Sequence, residues 1–94
     1  MKITKISEKK LAKYKLCGRV NSTATGKLLY LMLDEIVDRN NEIIVPQRKI
    51  SETLRVPKST VSRNLRRLRD DGYIEIRARY RDEGGRDANK YVMK

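Results

Sequence analysis

Val56-Pro57-Lys58-Ser59-Thr60-Val61-Ser62-Arg63-Asn64-Leu65-Arg66-Arg67-Leu68-Arg69-Asp70-Asp71-Gly72-Tyr73-Ile74 carries two breaks and two periodicities. Val56-Pro57 ends whatever helix precedes it, and Gly72 stops the one that follows, so a helix is predicted over 58–71. Val61, Leu65 and Leu68 recur at i, i+4 and i+7, a narrow apolar stripe. At about 100° per residue, Ser59, Arg63 and Arg66 point almost opposite that stripe, with Thr60 and Arg67 along one edge. From Tyr73 the period changes to two. Ile74, Ile76, Ala78 and Tyr80 alternate with Tyr73, Glu75, Arg77, Arg79 and Arg81, which predicts a strand with one inward and one cationic face. Residues 82–87 are turn chemistry, with Gly84 and Gly85 available for positive φ. Asn89 to Met93 can return as a second strand, with Tyr91 and Met93 on one face.

Upstream, Pro46 suits the first turn of a helix that runs to about Leu54, with Ile50 and Leu54 one turn apart on its inner side. Glu42 to Val45 is short, β-branched and stopped by that proline, a brief strand. Over 23–39 the apolar residues Leu28, Leu29, Leu31, Met32, Leu33, Ile36 and Val37 leave Asp34, Glu35 and Asp38 opposite. This predicts an amphipathic helix with one broad buried face. Thr23 or Thr25 can cap its start and Asn40-Asn41 can end it. Ser7 can cap a short basic helix over 7–17, which reads equally as a phosphate-grasping arm, a dimer element or a disordered tail.

Charge follows this division. The chain holds 94 residues and a net charge of +11, with 23 Lys and Arg against 12 Asp and Glu. Residues 1–22 carry +6, residues 23–56 are neutral and residues 57–94 carry +5. The neutral middle reads as scaffold and the basic ends as contact surfaces, so a basic segment 1–22 precedes a folded domain 23–94. Charge of this size on one small domain favours a polyanionic partner, nucleic acid before an acidic membrane surface.

The order of helix, short strand, helix, turn, basic helix and basic hairpin resembles the winged helix-turn-helix family: mainly α, a three-helix core plus a small β-hairpin wing. Ile50-Ser51 supplies an apolar and a small residue where two helices cross, and Leu54 and Val56 flank the turn. Residues 56–65 look like the start of a winged-helix recognition helix. Leu65 to Ile74 is similar to the exit into the wing of many bacterial regulators. Asn89-Lys90-Tyr91-Val92 closes the wing much as in plasmid and phage replication or partition proteins. Arg55 stands where many such motifs keep Gly or Asn. Since a left-handed backbone strains Arg, the sequence predicts a looser turn there.

The resemblance implies double-stranded DNA binding, with helix 58–71 in the major groove and wing 73–94 on the adjacent groove or backbone. Arg63 is the candidate base reader, because arginine can pair two donors with guanine O6 and N7. Lys58, Ser59 and Thr60 lie in the first turn, where free N–H groups suit a phosphate or a base edge. Arg66 and Arg67 suit the phosphate backbone. Arg77 and Arg79 share the cationic strand face, and Arg86 at the flexible tip suits a narrow minor groove. Asp82, Glu83 and Asp87 are nearby acids that could instead pair with Arg86. Tyr30, Tyr80 and Tyr91 fall near apolar positions and read as packing at the core's edge.

One recognition helix reads few base pairs, so a homodimer or pairwise binding to repeated sites is expected. Leu16, Cys17, Leu28, Leu31 and Met32 are candidates for that contact. A transcriptional regulator, or a plasmid or phage replication, partition or transfer factor, fits these features. A winged-helix module binding RNA or another protein is the alternative. Enzyme readings fare badly: with no His and a single Cys, the usual triads and zinc sites cannot be built, so no metal or cofactor is expected. No small-molecule pocket is evident, no apolar run reaches the roughly 18 residues of a membrane span, and one cysteine fits a reducing cytoplasm.

Overall fold

The computed structural model describes residues 7–94. Its elements run α1 (Glu8–Gly18), α2 (Ala24–Ile36), β1 (Glu42–Ile44), α3 (Gln47–Leu54), α4 (Lys58–Asp70), β2 (Ile74–Tyr80) and β3 (Arg86–Met93). The expected order holds, and the fold is a winged helix. The core forms where the apolar sides of α2, α3 and α4 meet the base of the hairpin. Leu29, Leu33, Val61, Leu65, Leu68 and Tyr91 are fully buried there, with Ile50 and Ile74 almost so. The apolar stripe of α4 is thus the central contact of the molecule, and burial of such side chains is the main favourable term in folding.

α2 begins as expected. Thr23 is its N-cap, and Thr23 Oγ1 accepts the Gly26 N–H at 3.0 Å. Its end differs. The helix stops at Ile36, and Asp38 rather than Asn40-Asn41 organises the exit. Asp38 Oδ1 accepts from the N–H groups of both Asn40 and Glu42, at 2.8 and 3.0 Å, and Asn41 takes a positive φ of 61° inside the resulting turn. A short carboxylate that satisfies two backbone donors competes with a further helical turn. The apolar face is also narrower than the composition suggests, since Leu28 and Ile36 are exposed while Leu29, Tyr30 and Leu33 face inward.

α1 packs along α2 through Cys17, whose Sγ–H donates to the Lys27 carbonyl at 3.1 Å. Cys17 is buried in that contact, which removes it from any surface apolar patch, while Leu16 stays exposed. Ser7 occupies the N-cap position of α1 but makes no side-chain capping bond. Val20, just beyond α1, belongs to the core.

The return strand of the hairpin is longer than expected, beginning at Arg86 instead of Asn89. β3 is also the centre of a three-stranded antiparallel sheet in the order β1-β3-β2, with Ile43 opposite Tyr91 and Ile76 opposite Tyr91 from the other side. Only the base of β2 meets the core. Ile74 is buried and Ile76 half-buried, but Ala78 and Tyr80 are exposed, and a register shift separates Arg77 from Arg79. Tyr80 therefore does not pack at the core's edge. The alternation continues past the point where the helices stop covering the sheet. Tyr30 does pack, edge-to-face on Tyr73 at 5.9 Å, and burial, with Asp34 nearby, pushes its phenol above the usual range. The Tyr73 hydroxyl accepts the Asn21 N–H at 3.0 Å.

The turn between α3 and α4 corrects the looser geometry expected at Arg55. Arg55 is left-handed, at φ 53° and ψ 45°. Two local closures hold it there. The Val56 N–H donates back to the Ser51 carbonyl at 3.2 Å, and the Ser51 hydroxyl donates to the Val56 carbonyl at 2.6 Å. Val56 is thereby folded onto the core, the hydrophobic closure that accompanies such helix ends. Arg55→Gly is expected to raise stability by up to about 1 kcal/mol. Relief of roughly 1–2 kcal/mol of left-handed strain exceeds glycine's extra chain entropy of roughly 0.5–1 kcal/mol. Urea unfolding measures it, and a lower midpoint would show that Arg55 side-chain contacts, not its backbone, maintain the turn.

Candidate nucleic-acid interface

α4 starts without a side-chain cap, because Pro57 is its N-cap residue. The N–H groups of Lys58, Ser59 and Thr60 precede the first helical bond, made by Val61 N–H to the Pro57 carbonyl at 3.0 Å. Uncapped N–H groups at a helix start suit an anion. Burial of Val61, Leu65 and Leu68 then fixes what the opposite side shows: Ser59, Arg63, Arg66 and Arg67 are all exposed, and Thr60 is half-buried. The wheel and the structure agree on this face.

Ion pairing sorts the cations. Among the described residues, no carboxylate oxygen lies within 4.0 Å of the charged groups of Lys58, Arg63, Arg66, Arg67 or Arg86. The wing's first strand is different. Arg77 Nε meets Glu75 at 3.1 Å, and its Nη1 lies 3.9 Å from Glu42 of β1, which Lys90 of β3 approaches at 3.4 Å. The hydrogen bond from Arg77, with its charge, holds the Glu75 carboxyl below the usual carboxylate range. Arg79 Nη1 lies 3.5 Å from Asp87, and Arg81 Nε lies 3.1 Å from Glu83. Asp87 and Glu83 thus take Arg79 and Arg81 as partners, while Arg86 donates to Asn89 Oδ1 at 2.9 Å.

A cleft of about 490 Å³ joins these parts. Pro46, Gln47 and Arg48 at the start of α3 form one wall and Lys58 of α4 lies beside them. Arg86, Asp87, Ala88 and Asn89 of the wing complete it. Lys58 and Arg86, far apart in sequence, line one groove. Arg48 was not singled out from the sequence, although the same geometry could have found it. It lies two residues before Ile50 as Ser59 lies two before Val61, so both face away from their buried neighbour. Its one ionic partner among the described residues is Glu52, at 3.9 Å and exposed, a pair of little strength. Asn64 was also missed. It sits three residues after Val61, on the stripe itself, and is buried.

Residues 30–83, more than half of the chain, match the model of the MarR family. The chain belongs to the MarR family. The match runs from the middle of α2 through α3, α4 and β2 into the wing turn, so it covers the helix side of the face just described and stops short of Arg86 to Asn89 in β3. MarR-family proteins are winged-helix regulators of transcription that bind DNA, typically as dimers, and are not enzymes. No curated protein matches the chain. Among the described residues no helix is long and apolar enough to cross a membrane.

Proposed function

We propose that this MarR-family protein is a sequence-specific double-stranded DNA-binding regulator that inserts α4 into the major groove. The carrying observation is the separation of charge on α4. Lys58, Arg63, Arg66 and Arg67 have no carboxylate partner among the described residues, whereas Arg69 at the far end of the helix pairs with Asp70 at 3.0 Å and three of the wing's arginines are paired as well. Cations left unpaired opposite a fully buried stripe are available to an incoming polyanion without a partner first being displaced.

Arg63 reads a base edge, Ser59 and Thr60 approach the groove from the first turn, and Arg66 and Arg67 contact phosphates on either side. Lys58, Arg48 and Arg86 line the cleft between helix and wing, where one phosphate strand passes. Arg86 enters the adjacent minor groove, and Arg77 and Arg79 brace the wing that carries it. Residues 23–94 form the DNA-binding unit, and the basic segment 1–22 adds charge and dimer contact. Two copies meet through exposed Leu16 and Leu28, so that their α4 helices enter major grooves about 34 Å apart.

Titration of a random duplex and of a genomic-fragment pool at rising salt tests this reading. Enrichment of one motif that survives added salt is expected. Binding to random DNA should weaken with a log–log slope of about 0.9 per phosphate contact. Failure to enrich any motif would favour an RNA- or protein-binding module instead.

A further inference from the structure

We propose that Asn64 is a positioning residue, which sets the rotation of α4 about its own axis and so aims Arg63. The inference rests on the sequence-specific reading above and extends it to a side chain that touches no DNA.

Asn64 is buried, at 7% exposure, in the middle of the helix that carries the candidate reading face. A buried amide must find partners for its donors and its acceptor. It finds them in two elements. Thr23 Oγ1, at the N-cap of α2, donates to Asn64 Oδ1 at 2.7 Å, and Asn64 Nδ2 donates to the Thr60 carbonyl at 2.8 Å. Thr23 has a proton free for this because its oxygen is the acceptor for the Gly26 N–H, at 3.0 Å. The direction of the chain is therefore fixed. A reversed amide would turn Oδ1 onto the Thr60 carbonyl, setting two acceptors face to face. The backbone approach is close as well. A Cβ on Gly26 would collide with Ser22 Oγ and come within 3.4 Å of Asn64 Oδ1.

The other contacts of α4 set its rotation only coarsely. Burial of Val61, Leu65 and Leu68 chooses which side of the helix turns inward, but apolar attraction has no direction of its own with which to fix the last few degrees. Hydrogen bonds do have direction and weaken steeply off axis. A rotation of α4 by about 10° carries an atom about 6 Å from the axis through about 1 Å, beyond the roughly 0.5 Å within which a reading group must be held. Arg63 is the next residue to Asn64, and Thr60 lies one turn before it. The bond that holds Asn64 therefore holds the start of α4 in the same phase.

Asn64→Leu is the test, since leucine replaces the amide with an apolar side chain and leaves Thr23 able to cap α2. Affinities are measured on the motif that the wild-type chain enriches from a random duplex pool and on a random duplex, with thermal unfolding alongside. The ratio of specific to random affinity is expected to fall at least about tenfold, the discrimination of roughly one base pair. Random-duplex affinity and thermal midpoint are expected to stay near wild type, and Thr23→Ser, which keeps the hydroxyl, to retain the full ratio. If Asn64→Leu does not fold, Thr23→Asp decides by the same ratio, because aspartate keeps the cap and lacks the hydroxyl proton. An unchanged ratio in the folded variant overturns the positioning role while leaving sequence-specific binding intact. An equal fall on both DNAs assigns Asn64 to stability alone. If the wild type enriches no motif, the sequence-specific reading fails, and the positioning role with it.

Discussion

Arg63→Ala is expected to weaken binding to the protein's own DNA site by roughly 1–3 kcal/mol and to relax preference at one base position. The side chain is exposed on α4 opposite Val61, Leu65 and Leu68, with no carboxylate partner among the described residues. Losing it should change stability by no more than about 0.5 kcal/mol, as for other surface substitutions without packing contacts. The measurement is a pair of binding isotherms, on the enriched motif and on random duplex. Loss confined to the motif identifies a base contact. Equal loss on both would make Arg63 a phosphate contact and move base reading to Ser59 or Thr60.

Leu65→Ala acts on the other side of the same helix and should have the larger effect on folding. Leu65 is fully buried at the centre of the α4 stripe, and α4 is the element on which α2, α3 and β2 all pack. Truncating a buried leucine costs about 2–5 kcal/mol, the spread reflecting how far the site can collapse. Small domains have only about 5–15 kcal/mol in total, so the variant should be substantially less stable to urea and heat. A loss under about 1 kcal/mol would mean that α4 is not the central packing element.

These two residues lie on opposite sides of one wheel, and both were legible from the sequence because a helix converts spacing into direction. Val61, Leu65 and Leu68 recur at helical spacing, so the buried side and the cationic side of α4 follow together. The base of the wing was legible for the same reason at period two, since Ile74 and Tyr91 are indeed buried. What failed was anything that depends on where an element ends or on what lies across from it. Ala78 and Tyr80 continue the alternation of β2 but extend beyond the helices, and a local pattern does not say where its cover stops. The left-handed Arg55 was unexpected because propensity speaks against it. The closure of Val56 onto Ser51 that holds it, and the packing of Val56 against the core, are contacts that residue propensity does not register. The pairing of Arg77 with Glu75 and Glu42, and of Arg79 with Asp87, depends on β-register and on a shift between residues 77 and 79. Neither is visible in one strand alone. The cleft that joins Arg48, Lys58 and Arg86 exists only once the hairpin folds back beside the helix starts.

The central claim is that α4 reads base edges in the major groove, and one substitution in the DNA tests it directly. Replacing each guanine of the enriched motif by 7-deazaguanine removes the N7 acceptor from the major groove and leaves Watson–Crick pairing in place. Insertion of α4 predicts a marked loss of wild-type affinity at one guanine per copy of the protein, and no further loss at that guanine for Arg63→Ala. Wild-type affinity unchanged by 7-deazaguanine at every position would contradict base reading by Arg63 through guanine N7.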